Sequence, residues 1–188
     1  DRIFVSGGTE KTRAVYALDA RSGKLLWERT VPTRLSSPGE IPEVNADAGY
    51  AAPTMATDGA RVFAIFATGD LAAFDFEGNP VWAQHLGVPA NPYGHSSSLE
   101  VFEDTLIIQF DQKKGGFVAA LDVCTGATRW KTERKFGSSW ASPALIETAG
   151  HTELILVADA FVTSYDPKTG QELWRLQCLA SADVAPTP

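Results

Sequence analysis

Ala17-Leu18-Asp19-Ala20-Arg21-Ser22-Gly23-Lys24-Leu25-Leu26-Trp27 is the stretch that decides the fold, because the chain writes it four times. The other copies run from Ala73-Phe74-Asp75 to Trp82, from Ala120-Leu121-Asp122 to Trp130, and from Ser164-Tyr165-Asp166 to Trp174. A glycine (Gly23, Gly78, Gly126, Gly170) stands four residues before each tryptophan. Trp27, Trp82, Trp130 and Trp174 are 55, 48 and 44 residues apart, about the length of one four-stranded β-module. Each part of the copy has a physical task. Glycine supplies a turn with positive φ. The aspartate accepts hydrogen bonds from the turn's backbone amides. The small residue two before it leaves room for an indole. The tryptophan opens an outer strand and lies across the next module, its N–H finding a carbonyl.

Working outward, Ile3-Phe4-Val5, Val62-Phe63-Ala64-Ile65-Phe66, Leu106-Ile107-Ile108 and Leu154-Ile155-Leu156-Val157 are short apolar runs rich in β-branched residues. They read as buried strands, and no stretch keeps a helical period. The expected fold class is all-β: a β-propeller of four-stranded antiparallel blades, about four in this chain. The approximate repeats are 1-47, 48-93, 94-137 and 138-180, with 181-188 beginning the next blade. Ala52-Pro53-Thr54, Ser97-Ser98-Leu99, Ser142-Pro143-Ala144 and Ala185-Pro186-Thr187 recur after the outer strands, and they read as innermost strands beside a central channel. The chain opens on a second strand and stops on an inner one. It therefore reads as a segment of a larger propeller, as a ring whose last strand completes the first blade, or as half of an eight-bladed ring formed by self-association.

A net charge of −7 argues against an extended nucleic-acid-binding surface. The basic residues Lys113-Lys114 and Arg129, Lys131, Arg134 and Lys135 read as a solvated strand face or loop. No apolar run is long enough to span a membrane as a helix. Cys124 and Cys178 fall in different blades and do not read as a bridge.

The copy ending in Trp27 resembles the tryptophan-docking motif of the PQQ-like (quinoprotein-type) β-propeller repeat family. The copies ending in Trp130 and Trp174 keep its eight-residue Asp-to-Trp step, while Asp75 stands only seven residues before Trp82. The resemblance implies the propeller fold and a periplasmic or extracellular location. It does not select a function, because the family includes non-catalytic assembly proteins and dehydrogenases alike. Two functions follow from it. The first is an exported, non-catalytic scaffold that binds another protein and takes no cofactor. The alternative is a segment of a dehydrogenase dependent on pyrroloquinoline quinone (PQQ) and calcium, oxidising an alcohol or sugar. Family enzymes often place a disulfide between adjacent cysteines against the quinone, and this chain has no adjacent pair.

The residues themselves offer little chemistry. No nucleophile elbow, phosphate loop or zinc motif is present. His85, His95 and His151 are not spaced as ligands. His95, Asp111 and Trp140 are the candidate lining of a channel-mouth pocket, with loop packing as the other reading. The Leu35-to-Asn45 insertion is the candidate contact loop.

Overall fold

The computed structural model describes residues 1–32, 41–44, 48–148 and 150–178. These residues form fifteen strands and no helix. The first sheet has three strands, β1 (Arg2–Gly8), β2 (Arg13–Asp19) and β3 (Leu25–Thr30). The second has β4 (Ala56–Thr57), β5 (Arg61–Ile65), β6 (Asp70–Asp75) and β7 (Pro80–His85). The third has β8 (Glu100–Phe102), β9 (Thr105–Phe110), β10 (Gly116–Asp122) and β11 (Thr128–Arg134). The fourth has β12 (Ala144–Thr148), β13 (His151–Ala158), β14 (Phe161–Tyr165) and β15 (Glu172–Gln177). All neighbours are antiparallel and consecutive, the up-and-down order of a blade.

Successive sheets pack face to face. Val15, Ala17 and Trp27 of the first sheet share a core with Val62, Ala64 and Phe74 of the second. Phe63, Ile65 and Leu71 meet Leu106, Ile108 and Leu121 of the third. Ile107, Val118 and Ala120 meet Leu154, Leu156 and Tyr165 of the fourth. Middle strands are therefore covered on both faces, which is why they read as continuous apolar runs and not as alternating ones.

The repeated copy is the joint between sheets. The small residue stands directly opposite the tryptophan in the outer hairpin: Ala17 with Trp27, Ala73 with Trp82, Ala120 with Trp130, Ser164 with Trp174. In all four hairpins the register slips by one residue just after that pair, a bulge that re-aims the strand end. Asp19 Oδ1 accepts the Arg21 and Ser22 amides, and Asp122 Oδ1 those of Cys124 and Thr125. Asp166 Oδ1 accepts the Lys168 amide, and in the shorter second turn Asp75 Oδ1 accepts that of Asn79. Serving the turn holds the Asp122 carboxyl at about 2, chiefly through the Arg129 and Thr125 side chains.

Three indoles cross to the next sheet. Trp27 Nε1 donates to Phe76 O at 2.9 Å, Trp82 Nε1 to Val123 O at 2.9 Å, and Trp130 Nε1 to Pro167 O at 3.0 Å. The glycine of the receiving turn lies under the ring. A Cβ on Gly170 would sit 2.3 Å from Trp130 Cε3, whereas one on Gly23 would meet nothing within 4 Å. Both glycines have φ of +69°, so an alanine pays the same backbone penalty of about 1–2 kcal/mol at either place. Urea unfolding should therefore show Gly170→Ala clearly more destabilised than Gly23→Ala, the difference reporting the displaced indole.

Trp174 departs from the expectation of four cross-sheet indoles. It is 42% exposed, and its N–H goes to Glu153 Oε2 of its own sheet at 2.7 Å. No sheet follows it among the described residues.

The inner strands also differ from their expected positions. They begin at Ala56 and Glu100, after the first two of these stretches, and at Ala144, the last residue of the third. Those stretches bond across blades instead. Thr54 N donates to Ser98 Oγ and Ser98 N to Ser142 Oγ, each at 3.0 Å and each 44 residues on. Serine hydroxyls thus replace ladder bonds where the blades converge. The stretch at Ala185-Pro186-Thr187 lies outside the described residues, as do residues 35–40 and 45 of the Leu35-to-Asn45 insertion.

Candidate functional site

Strand ends place the polar side chains between blades. Arg134, the last residue of β11, turns inward and is buried. Its Nε and Nη2 donate to Asp111 Oδ1 and Oδ2 at 2.8 and 3.1 Å, and its Nη1 to the Tyr165 hydroxyl of the fourth sheet at 2.8 Å. Burial opposes the guanidinium's charge, but the Asp111 carboxylate beside it holds its pKa above the ordinary value. Gln109 Nε2 completes the group, donating to Asp111 Oδ2 and Val157 O. Arg134 is therefore not part of the solvated face expected from its basic neighbours. Its side chain is needed where Asp111 is buried.

A second buried ion pair links the first two sheets. Arg13 Nε lies 3.2 Å from Thr68 Oγ1 and 3.3 Å from Asp70 Oδ2, and His85 Nδ1 lies 2.9 Å from Asp70 Oδ1. The sequence did not single out Asp70 or this cluster. The Arg13–Thr68 contact spans 55 residues and the His85–Asp70 contact 15, and no local pattern announces them.

His95 is buried. Its ring stacks on Phe110 with centroids 5.1 Å apart, and Nε2 lies 2.9 Å from Ser97 O. Burial pushes its pKa down to about 4. The unfolded chain, with an ordinary histidine near 6.5, binds the proton that the folded state refuses. Stability should therefore fall as pH drops from about 6.5 to about 4. The slope from this residue approaches about 1.4 kcal/mol per pH unit. Denaturant titrations of wild type and His95→Gln across that window check it: the variant should lose that part of the slope.

Trp140 packs against Tyr93 with centroids 5.7 Å apart and the rings tilted at 46°, joining the loop before the third sheet to the loop before the fourth. Trp140 Nε1, Asn91 Oδ1 and Ser138 Oγ, all from these two loops, are buried with no hydrogen-bond partner among the described residues. His95 and Asp111 are engaged in packing and pairing, while Trp140 sits with these unused polar atoms. Tyr93, half exposed, has φ of +76°, a strained conformation for an aromatic residue.

Two concavities flank these loops. One, of about 360 Å³, is lined by Lys113, Lys114, Lys135 and Phe136. The other, of about 580 Å³, lies along the inner strands, with Thr54, Ser98, Glu100 and Ser142 in its wall. Partial burial raises the Glu100 pKa.

No three His, Cys, Asp or Glu side chains among the described residues converge as metal ligands. Cys124 and Cys178 are exposed free thiols in different blades. Among the described residues no helix is long and apolar enough to cross a membrane.

Comparison with known proteins gives the family. A sequence profile described as outer membrane protein assembly factor BamB matches residues 1–142. No curated protein matches the sequence. Among solved structures, BamB from Moraxella catarrhalis superposes with a TM-score of 0.61 at 17% identity, over 93% of this chain and 44% of that one. The quinohemoprotein alcohol dehydrogenase from Comamonas testosteroni gives 0.67 at 18%, over 94% and 33%. A europium-containing methanol dehydrogenase gives 0.65 at 14%, over 94% and 40%. At such identities the likeness is one of fold, a β-propeller. The chain spans a third to somewhat under half the length of these structures.

Proposed function

Because the chain belongs to the family described as outer membrane protein assembly factor BamB, we propose that it is a non-catalytic propeller scaffold of the periplasm that binds a protein of outer-membrane assembly. The observation that carries this reading is the Tyr93–Trp140 pair on two adjacent loops. It combines the exposed Tyr93 ring, the Trp140 indole packed against it and a strained backbone at Tyr93. Aromatic anchors suit a protein contact. They are carried on loops fixed by a rigid sheet frame. The ionisable groups nearest this surface serve the frame: Asp111 neutralises Arg134, and His95 is kept neutral by burial.

The test uses a bacterium lacking its own BamB. Export of this chain should raise the level of folded outer-membrane β-barrels, and the Tyr93→Ala/Trp140→Ala variant, at equal abundance, should not. No rise with the wild-type chain, or an equal rise with both, overturns the proposal.

The fold likeness to quinoprotein dehydrogenases supports a second reading, a segment of a PQQ- and calcium-dependent alcohol or sugar dehydrogenase. It predicts quinone-dependent dye reduction stimulated by calcium. The scaffold reading predicts none, and no change in tryptophan fluorescence on adding the quinone.

A further inference from the structure

The third sheet, flanked within the chain by the second and the fourth, carries the cleft of about 360 Å³ at one of its ends. There β9 turns into β10 and β11 leaves the sheet, and the pairing of Gly116 with Arg134 sets the turn beside the exit. One wall runs from Gln112 to Gly116, the other from Glu133 to Gly137. The turn is fixed, since Gln112 Nε2 donates to Gly115 O at 3.1 Å and Gly115 takes a φ of +72°. Phe136 of the other wall is buried and packs on Phe161 of the fourth sheet with centroids 5.4 Å apart.

The charge of this cleft runs against that of the chain. Three lysines, Lys113, Lys114 and Lys135, stand exposed on its walls against the single carboxylate of Glu133. Among the described residues none of the three lysines makes an ion pair. On a chain of net charge −7 this excess draws anions to one place. The donors select among anions. A lone phosphate is best held by an arginine fork or by a nest of backbone amides. The one guanidinium here is committed, with Nε and Nη2 on Asp111 and Nη1 on Tyr165. Lysines on a turn and on a strand exit are separate point charges, and they suit carboxylates spaced along a chain.

Both walls lead to the aromatic pair. Lys113 N donates to Ala90 O at 3.2 Å and Ala90 N to Gln112 Oε1 at 2.8 Å, and Tyr93 stands three residues after Ala90. Trp140 stands three residues after Gly137. We propose that the cleft binds an extended acidic segment of the partner protein, its carboxylates on Lys113, Lys114 and Lys135 and an apolar side chain on Tyr93. This rests on the Tyr93–Trp140 pair being a protein contact, and it names the chemistry of what docks there. The lysines speed encounter with the segment, and the aromatic contact slows its release.

Fluorescence anisotropy of a fluorescein-labelled hexaglutamate peptide ending in phenylalanine, titrated with the purified chain, tests this. Wild type should bind, and raising the salt from about 50 to about 300 mM should weaken binding severalfold. Lys113→Glu/Lys114→Glu/Lys135→Glu should weaken it at least about tenfold, and Tyr93→Ala at least about threefold. Lys11→Glu/Arg21→Glu/Lys24→Glu makes the same change in net charge at exposed positions of the first sheet's turns, and it should bind as wild type does. No binding by wild type overturns the proposal. So does equal weakening by the two triple variants, which assigns the effect to overall charge, or a Tyr93→Ala variant that binds unchanged. Pelleting with phosphatidylglycerol vesicles that requires the three cleft lysines, without peptide binding, assigns the cleft to a membrane surface and overturns it as well. This test and the cellular one fail separately. Peptide binding without a rise in folded β-barrels keeps the cleft and overturns the assembly role, and a rise without peptide binding does the reverse.

Discussion

Trp82→Ala should lower the unfolding free energy by about 3–5 kcal/mol, the range for removing a large aromatic from a core. Three losses coincide at this residue. The ring packs against Phe63 with centroids 5.9 Å apart and against the Gly126 backbone. Its N–H bond to Val123 O is broken, which leaves a carbonyl short of a partner. The second and third sheets then lose their main tie at the outer rim. Trp174→Ala is the control, since that ring is 42% exposed and, among the described residues, its N–H bonds within its own sheet. Urea unfolding of the two variants should show a large shift for Trp82→Ala and a small one for Trp174→Ala. Equal shifts would mean that the indoles do not tie sheet to sheet.

Arg134→Met should be as damaging, at about 3–5 kcal/mol, because it strands the Asp111 carboxylate in a site closed to solvent. The interpretation rests on a second variant. Arg134→Met combined with Asp111→Leu removes both charges and fills the space with apolar atoms, and it should recover most of the loss. Tyr165 loses its bond to Arg134 in both variants, whereas Gln109 loses its bond to Asp111 only in the double, so the recovery should be incomplete. Chemical denaturation of wild type, single and double variants at pH 7 separates charge burial from simple loss of packing. A double variant as unstable as the single one would assign the effect to packing.

The fold was legible because its decisive signals are local. Asp19, Gly23 and Trp27 specify a turn within nine residues, and repetition at a blade's length supplies the architecture. Strands β5, β9 and β13 were readable from their apolar runs, since burial on both faces removes any need for alternation. The inner strands were displaced in the reading because Ser98 and Ser142 make their bonds to neighbouring blades. A hydroxyl that serves a residue 44 positions away leaves no period to detect. The polar interior was hidden for the same reason. Arg134 sits in a run of exposed basic residues, and only Asp111, 23 positions earlier, shows that it turns inward. At the candidate site the sequence singled out Trp140, but Tyr93, the ring it packs against, carries no signal that separates it from an ordinary loop aromatic.

The Thr54–Ser98–Ser142 stitching has a consequence for how the hub opens. Amide protons of Thr54 and Ser98 are held by hydroxyls on adjacent blades, so they are released only when two blades part, not when a strand frays. Deuterium uptake at these two positions should therefore follow the separation of whole blades. It should be slow although neither residue belongs to any strand, and alanine at Ser98 or Ser142 should quicken it one blade away from the substitution.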